Sequence, residues 1–177
     1  KYIVDIAQTI SFISISIDAG TPKTYYDIRH SDFTQLISGI RSLQEYKSII
    51  VSKKPTVEIS MCLMQRNIND LEDFVVLAHL LKVDKAHIYH MNLDESWIVG
   101  WFNYKEQHCY LDPANHDMNI TKAFELANKL KVNLFMSGRK SFLEESPIEH
   151  KYFEVKDPGK FYCPYMEDSV IVFIEGN

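Results

Sequence analysis

The stretch FISISID, residues 12–18, decides the fold class. Its alternation is strict, with Ile13, Ile15 and Ile17 on one face and Ser14, Ser16 and Asp18 on the other. A period of two marks a strand, because successive side chains leave opposite faces of the pleat. The chain then turns at Asp18-Ala19-Gly20 and starts a helix at Thr21-Pro22, with Thr as cap and Pro at the first helical position. A second helix starts at Asp32, where Phe33, Leu36, Ile37, Ile40 and Leu43 recur at helical spacing. After the loop Lys53-Lys54-Pro55, residues 57–64 repeat the logic of the first strand. Val57, Ile59, Met61 and Leu63 share one face; Glu58, Ser60, Cys62 and Met64 share the other.

Further along, Asn69 with Glu72 reads as a capping box for a helix buried through Leu71, Phe74, Val75, Ala78 and Leu81. Ala86 to Met91 is the third strand, and residues 93–119 read as an irregular excursion. A helix over Thr121 to Leu130, through Ala123, Phe124, Ala127 and Leu130, leads to a fourth strand at Val132 to Met136. Strands alternating with helices of this length imply parallel pairing through right-handed crossovers. The expected class is therefore α/β, with a parallel sheet forming part of a (β/α) barrel. Residues 137–160 read as a linker, and 161–177 carry a last short β-like extension.

Strands covered on both faces usually read as continuous apolar runs. These two do not, and a polar group on a covered face costs free energy unless something satisfies it. Either the polar faces line a cavity holding a polar ligand, or one face of the sheet is open to solvent. Ligands in such folds gather at the carboxyl ends of the strands, here Ser16, Asp18, Cys62, Met64, Tyr89 and Met91.

Composition narrows the classes. The chain has 177 residues, 46% apolar and 24% charged, with net charge -5, the mix of an ordinary folded domain. It has no basic tract for nucleic acid and no apolar run near the roughly 20 residues that span a bilayer. Cys62, Cys109 and Cys163 form no CxxC pair and no disulfide framework, which suits a reducing cytoplasm. Both ends, Lys1 and Ile174-Glu175-Gly176-Asn177, look cut, as in a piece of a longer protein. With six glycines and neither GxGxxG nor GxxxxGK[ST], a nucleotide-phosphate loop is disfavoured. His87 and His90 lie three apart on a strand and point to opposite faces, so they are not a ligand pair. Cys62 reads as a core or cavity-wall residue, and no Ser–His–Asp or Cys–His–Asp set can be assigned.

Longer patterns add a resemblance. The segment ISISIDAGTPKTYYDIR, then a helix and a strand, then MQRNINDLEDFVVLAHLLKVDKAHIYHMN, resembles the second half of a radical S-adenosylmethionine enzyme barrel. DMNITKAFELANKLKVNLFM looks like that family's later helix-to-strand step, and CPYMEDSVIVFIEGN resembles the opening of a SPASM auxiliary-cluster domain. The resemblance covers about residues 10 to 136 and 160 to 177. It implies a barrel half over 1–136, a linker over 137–160 and a truncated SPASM-like start over 161–177. The hallmark CxxxCxxC, which ligates the catalytic [4Fe–4S] cluster, is absent. It is expected roughly 80 to 110 residues before Ser16 in a full-length parent, from the length of barrel units.

By the same resemblance, Ser14, Ser16, Asp18 and Arg29, with the strand Ile88-Tyr89-His90, would meet S-adenosylmethionine. Glu58, Ser60, Cys62 and Met91 would line the substrate cavity. Cys163 would be the first auxiliary-cluster ligand in the parent only. No cofactor and no cluster are expected on this chain by itself, which the resemblance makes inactive alone. Expected partners are the missing first half of the barrel, a peptide substrate, or a second copy. The second copy would pair along the first strand's edge unless residues 1–10 cover it. The competing reading is a degenerate α/β module that binds a ligand or protein without chemistry.

Overall fold

The computed structural model describes Val4 and residues 9–91 and 104–143, all within the unit Lys1–Ser146. Four strands, β1 (Phe12–Ser16), β2 (Thr56–Leu63), β3 (Lys85–His90) and β4 (Leu134–Ser137), lie in the order in which the chain makes them. All three pairings are parallel, with Ser16 opposite Ser60, Cys62 opposite Tyr89 and Tyr89 opposite Ser137. The helices are α1 (Pro22–Arg29), α2 (Phe33–Ile49), α3 (Leu71–Leu81), the short α4 (Tyr104–Gln107) and α5 (Pro113–Leu130). This is the expected α/β class, an all-parallel sheet built one β/α step at a time.

The alternation seen in residues 12–18 and 57–64 sets where the core lies. Ile15, Ile17, Ile59, Met61, Leu63, Ala86, Ile88, Leu134 and Met136 pack in one cluster with Phe74, Val75, Ala78, Ile120 and Ala123 of the helices. Those strand residues are all of one alternate set, so the helices cover one face. Ile59, Met61, Ile88 and Phe74 are wholly buried, each contributing roughly 1.5–3 kcal/mol. The opposite face carries Ser14, Ser16, Glu58, Ser60, Cys62, His87, Tyr89 and Ser137.

Caps bear out the two starts that the residues advertised. Thr21 accepts from the Thr24 amide, and Asp32 accepts from the Thr34 and Gln35 amides. Three helices stop on a left-handed residue that is not glycine: His30, Lys82 and Lys131.

Elsewhere the structure corrects the reading. β1 stops at Ser16, short of the end of the FISISID stretch, while Asp18, with φ 56, sits in the turn expected at Asp18-Ala19-Gly20. Asn69 caps nothing. A 3-10 turn, Ile68–Asp70, leads into α3, and the Asn69 side chain accepts from Asn115 and Asn119 of α5. α5 begins at Pro113 with Asp112 as its cap, eight residues before the expected start at Thr121. β4 runs to Ser137, one residue past its expected end. Ser141, Phe142 and Leu143, read as linker, all donate hydrogen bonds to the Asp117 carboxylate. The rest of the linker, the SPASM-like segment with Cys163, and residues 1–3 and 5–8 expected over the β1 edge lie outside the described residues.

Candidate functional site

The polar face is a set of side chains bonded to one another across strands. Ser14 donates to Glu58 Oε1 at 2.8 Å, and the Ser16 and Ser60 hydroxyls lie 3.3 Å apart. The Tyr89 hydroxyl shares a hydrogen bond with Ser16. Burial, with Asp18 and Cys62 nearby, pushes that phenol up to about 12, so it stays a donor. On β3, His87 stacks on Phe135 with ring centroids 4.1 Å apart, and its Nε2 lies 2.8 Å from Ser137 Oγ. Glu58 and Ser60 are buried at 7% and 4% exposure, although they sit on the face that no described helix covers.

At the carboxyl end of β1 the chain turns on Asp18, which is 4% exposed. Its Oδ1 accepts from the Cys62 amide at 2.7 Å, and its Oδ2 accepts from Arg29 Nη2 of α1. The turn is held from below by Asn67, itself wholly buried. Its Nδ2 donates to the carbonyls of Asp18 at 2.9 Å and Cys62 at 2.8 Å, and its Oδ1 accepts from the Met64 amide. Asp70 secures the other side, its carboxylate accepting from the amides of Gly20 and Thr21 and from the Thr21 hydroxyl. A Cβ on Gly20 would come within 2.6 Å of the Phe74 amide nitrogen, so only glycine lets the turn lie against α3. Arg29 remains 39% exposed and keeps donors beyond its bond to Asp18, at the end of the sheet where ligands of parallel sheets bind.

Burial raises the Asp18 carboxyl above its usual range, against the opposing pull of Arg29 and the Cys62 amide. A raised folded value makes this group's contribution greatest below the unfolded value of 3.8, and it declines as pH rises through the folded one. The ionised carboxylate is thus held at some expense, as at many ligand sites. Asp18→Asn keeps an acceptor for the Cys62 amide and removes the buried charge, but turns an amide donor toward Arg29. Its urea-unfolding free energy is expected to stay within about 1 kcal/mol of the parent value. The Arg29 guanidinium is expected to leave its place, read as faster exchange of its Nη protons by NMR. A drop beyond about 3 kcal/mol would instead make Asp18 a structural ion-pair partner.

The expected site residues divide between the two faces. Ser14, Ser16, Glu58, Ser60, Cys62 and Tyr89 come together, with Asp18 and Arg29 at their carboxyl end. Ile88 does not join them, since its side chain is wholly buried under the helices. His90 also faces the helices, its Nε2 2.9 Å from Nε2 of His116, whose Nδ1 lies 2.7 Å from Asp117. Met91 is buried just past β3. The contributions of His87 with Ser137, and of Asn67 and Asp70, were not anticipated. Period two does place His87 on the same face as Tyr89, so that signal was present.

The two described thiols, Cys62 and Cys109, rest in the protonated form. Burial pushes Cys62 up to about 12, helped by Asp18, and pushes Cys109 up to about 12 as well. Among the described residues no three His, Cys, Asp or Glu side chains are grouped to hold an ion. A hollow of about 510 Å³ beside α1 is lined by Lys23, Thr24, Tyr26, Asp27, His30 and Arg66. No helix among the described residues is long and apolar enough to cross a membrane. The chain matches no protein-family model, no curated protein and no solved structure.

Proposed function

We propose that this chain is the later half of the (β/α) barrel of a radical S-adenosylmethionine enzyme, with the polar sheet face turned toward cofactor and substrate. The supporting observation is a sequentially ordered parallel sheet with helices on one face and mutually bonded polar side chains on the other. That division is what half of a barrel requires, since its inner wall has no helices to bury against. Ser14 and Ser16 would offer hydroxyls toward the cofactor's ribose and amino-acid part, and the backbone of Ile88–His90 at the end of β3 would meet its adenine. Arg29, set by Asp18, offers free donors to a carboxylate. When bound beside a reduced iron–sulfur cluster, S-adenosylmethionine supplies hydrogen-atom abstraction chemistry.

The two described cysteines have no third ligand grouped beside them among the described residues and do not fit such a cluster. In the proposed parent its ligands belong to a CxxxCxxC segment ahead of this half, while Cys163 belongs to an auxiliary cluster of the SPASM type. The outer edge of β1, the margin of the sheet among the described residues, is where the first half of the barrel would pair. A peptide substrate and a reducing, cytoplasmic setting complete the reading.

The deciding experiment is anaerobic iron–sulfur reconstitution of the full-length gene product. It should turn brown, with thiolate-to-iron absorption, while the 177-residue chain treated alike stays colourless. A colourless full-length product, or a gene without CxxxCxxC upstream, would overturn the assignment.

A further inference from the structure

We propose that His87, held between Glu58 and Ser137 on the face of the sheet that no described helix covers, is a general base that takes the proton of a substrate hydroxyl. The proposal rests on the reading of that face as the ligand wall of the barrel. The three residues come from adjacent strands, Glu58 on β2, His87 on β3 and Ser137 on β4. The register sets Ser60 opposite His87 and Tyr89 opposite Ser137, so Glu58, His87 and Ser137 lie along one diagonal of the face. Nδ1 of His87 is 3.7 Å from Glu58 Oε1, and Nε2 is 2.8 Å from Ser137 Oγ. The ring is held flat by Phe135, stacked at an interplanar angle of 16°, with Tyr89 against it at 5.3 Å.

Chemistry follows from which nitrogen carries the proton. A buried carboxylate on the Nδ1 side, itself anchored by Ser14, favours the tautomer with hydrogen on Nδ1. Nε2 then keeps its lone pair and accepts the Ser137 proton. Ser137 is exposed and ends β4, immediately before Gly138 in a left-handed conformation (φ 103), so the far side of its hydroxyl is open to a ligand. A substrate hydroxyl bonded there gives up its proton to Ser137 Oγ as the serine proton passes to Nε2. The electron pair of the broken O–H bond stays on the substrate oxygen, and the ring ends as imidazolium facing Glu58. The other charged side chain on this face of β3 is Lys85, whose ammonium lies 5.8 Å from the Phe12 ring centroid. Glu58 is a positioning residue in this scheme, since it acts through the ring.

Two measurements on the 177-residue chain test the relay without cofactor or cluster. The first is ¹⁵N NMR of imidazole-labelled protein. His87 should carry its hydrogen on Nδ1, and Glu58→Gln should give a mixture of tautomers. The second uses p-nitrophenyl acetate as probe. Ser137 Oγ attacks the acetyl carbonyl, p-nitrophenolate leaves, and the serine proton passes to Nε2.

Peptide mass spectrometry should find Ser137 acetylated at least about a hundredfold faster than exposed Ser48 on α2, the lower end of general-base assistance. His87→Gln should bring Ser137 down to the Ser48 rate. Hydrogen on Nε2 in the parent chain, or a Ser137 rate no greater than that of Ser48, overturns the proposal even if His87→Gln fails to fold. Neither readout involves the iron–sulfur cluster, so this proposal and the enzyme assignment fail separately.

Discussion

Asn67→Ala is expected to lower the unfolding free energy by about 3 to 5 kcal/mol, read from the midpoint of a urea melt. One side chain, with no exposed surface, satisfies three backbone groups: the carbonyls of Asp18 and Cys62 and the amide of Met64. Alanine leaves all three without that partner, two of them in fully buried bonds, and each orphaned buried group costs about 1–3 kcal/mol. The loss is not confined to stability. Asn67 ties the turn after β1 to the turn after β2, and the carboxylate that sets Arg29 sits in the first of these. Asn67→Asp is expected to be worse still, because it sets a carboxylate oxygen against two carbonyls. A melt within about 1 kcal/mol of the parent would show that the turns hold themselves.

Acid should weaken the fold through the helix-side face, by an amount on the order of 2 kcal/mol after allowing for the part-exposure of the ring. Burial holds the His90 imidazole down to about 4, with His116 and His108 adding to the effect. Burial lowers His116 too, against the pull of Asp117. A histidine lowered on folding is neutral in the native state and charged in the unfolded one below about 6.5. Its contribution is therefore complete above pH 6.5 and is lost as pH falls toward 4.

Asp117 acts in a lower window. Burial works against ionisation there, but bonds from Ser141, His116 and the Phe142 and Leu143 amides outweigh it and hold the carboxyl at about 2. Its share is lost only as pH falls below about 4 toward 2. His90→Gln keeps a donor toward His116 without titrating. It should flatten the stability curve between pH 6.5 and 4, and leave the slope below that range. A curve as steep in the variant as in the parent would rule His90 out as the source.

The strands and the capped helices were legible because their signals are local. Alternation at residues 12–18 and 57–64 separates core from polar face, and Thr21-Pro22 and Asp32 are caps that act within three residues. The start of α5 was hidden because hydrophobic periodicity detects only an apolar inner face. Residues 113–120, PANHDMNI, turn His116 and Asn119 inward, and these are buried by bonding to His90 and Asn69. Asp112-Pro113 held the missing signal, an acceptor cap followed by proline at the first helical position. Asp70 was illegible for another reason. Its partners lie 49 and 50 residues away at Thr21 and Gly20, a pairing that no local pattern encodes. The same holds for the site. The polar row on β1 and β2 could be read residue by residue, but the pairing of His87 with Ser137 needed the sheet register.

The division of the strands into alternate sets has an evolutionary consequence. Residues 13, 15, 57, 59, 61, 86 and 88 answer to the helices, and residues 14, 16, 58, 60, 62, 87 and 89 answer to whatever meets the other face. Immediate neighbours along a strand therefore carry separate selective pressures. A lineage could rewrite the odd positions of β3 and the even positions of β1 and β2, and so change what the protein recognises. The apolar packing under the helices would scarcely register the change, because none of those side chains belongs to it.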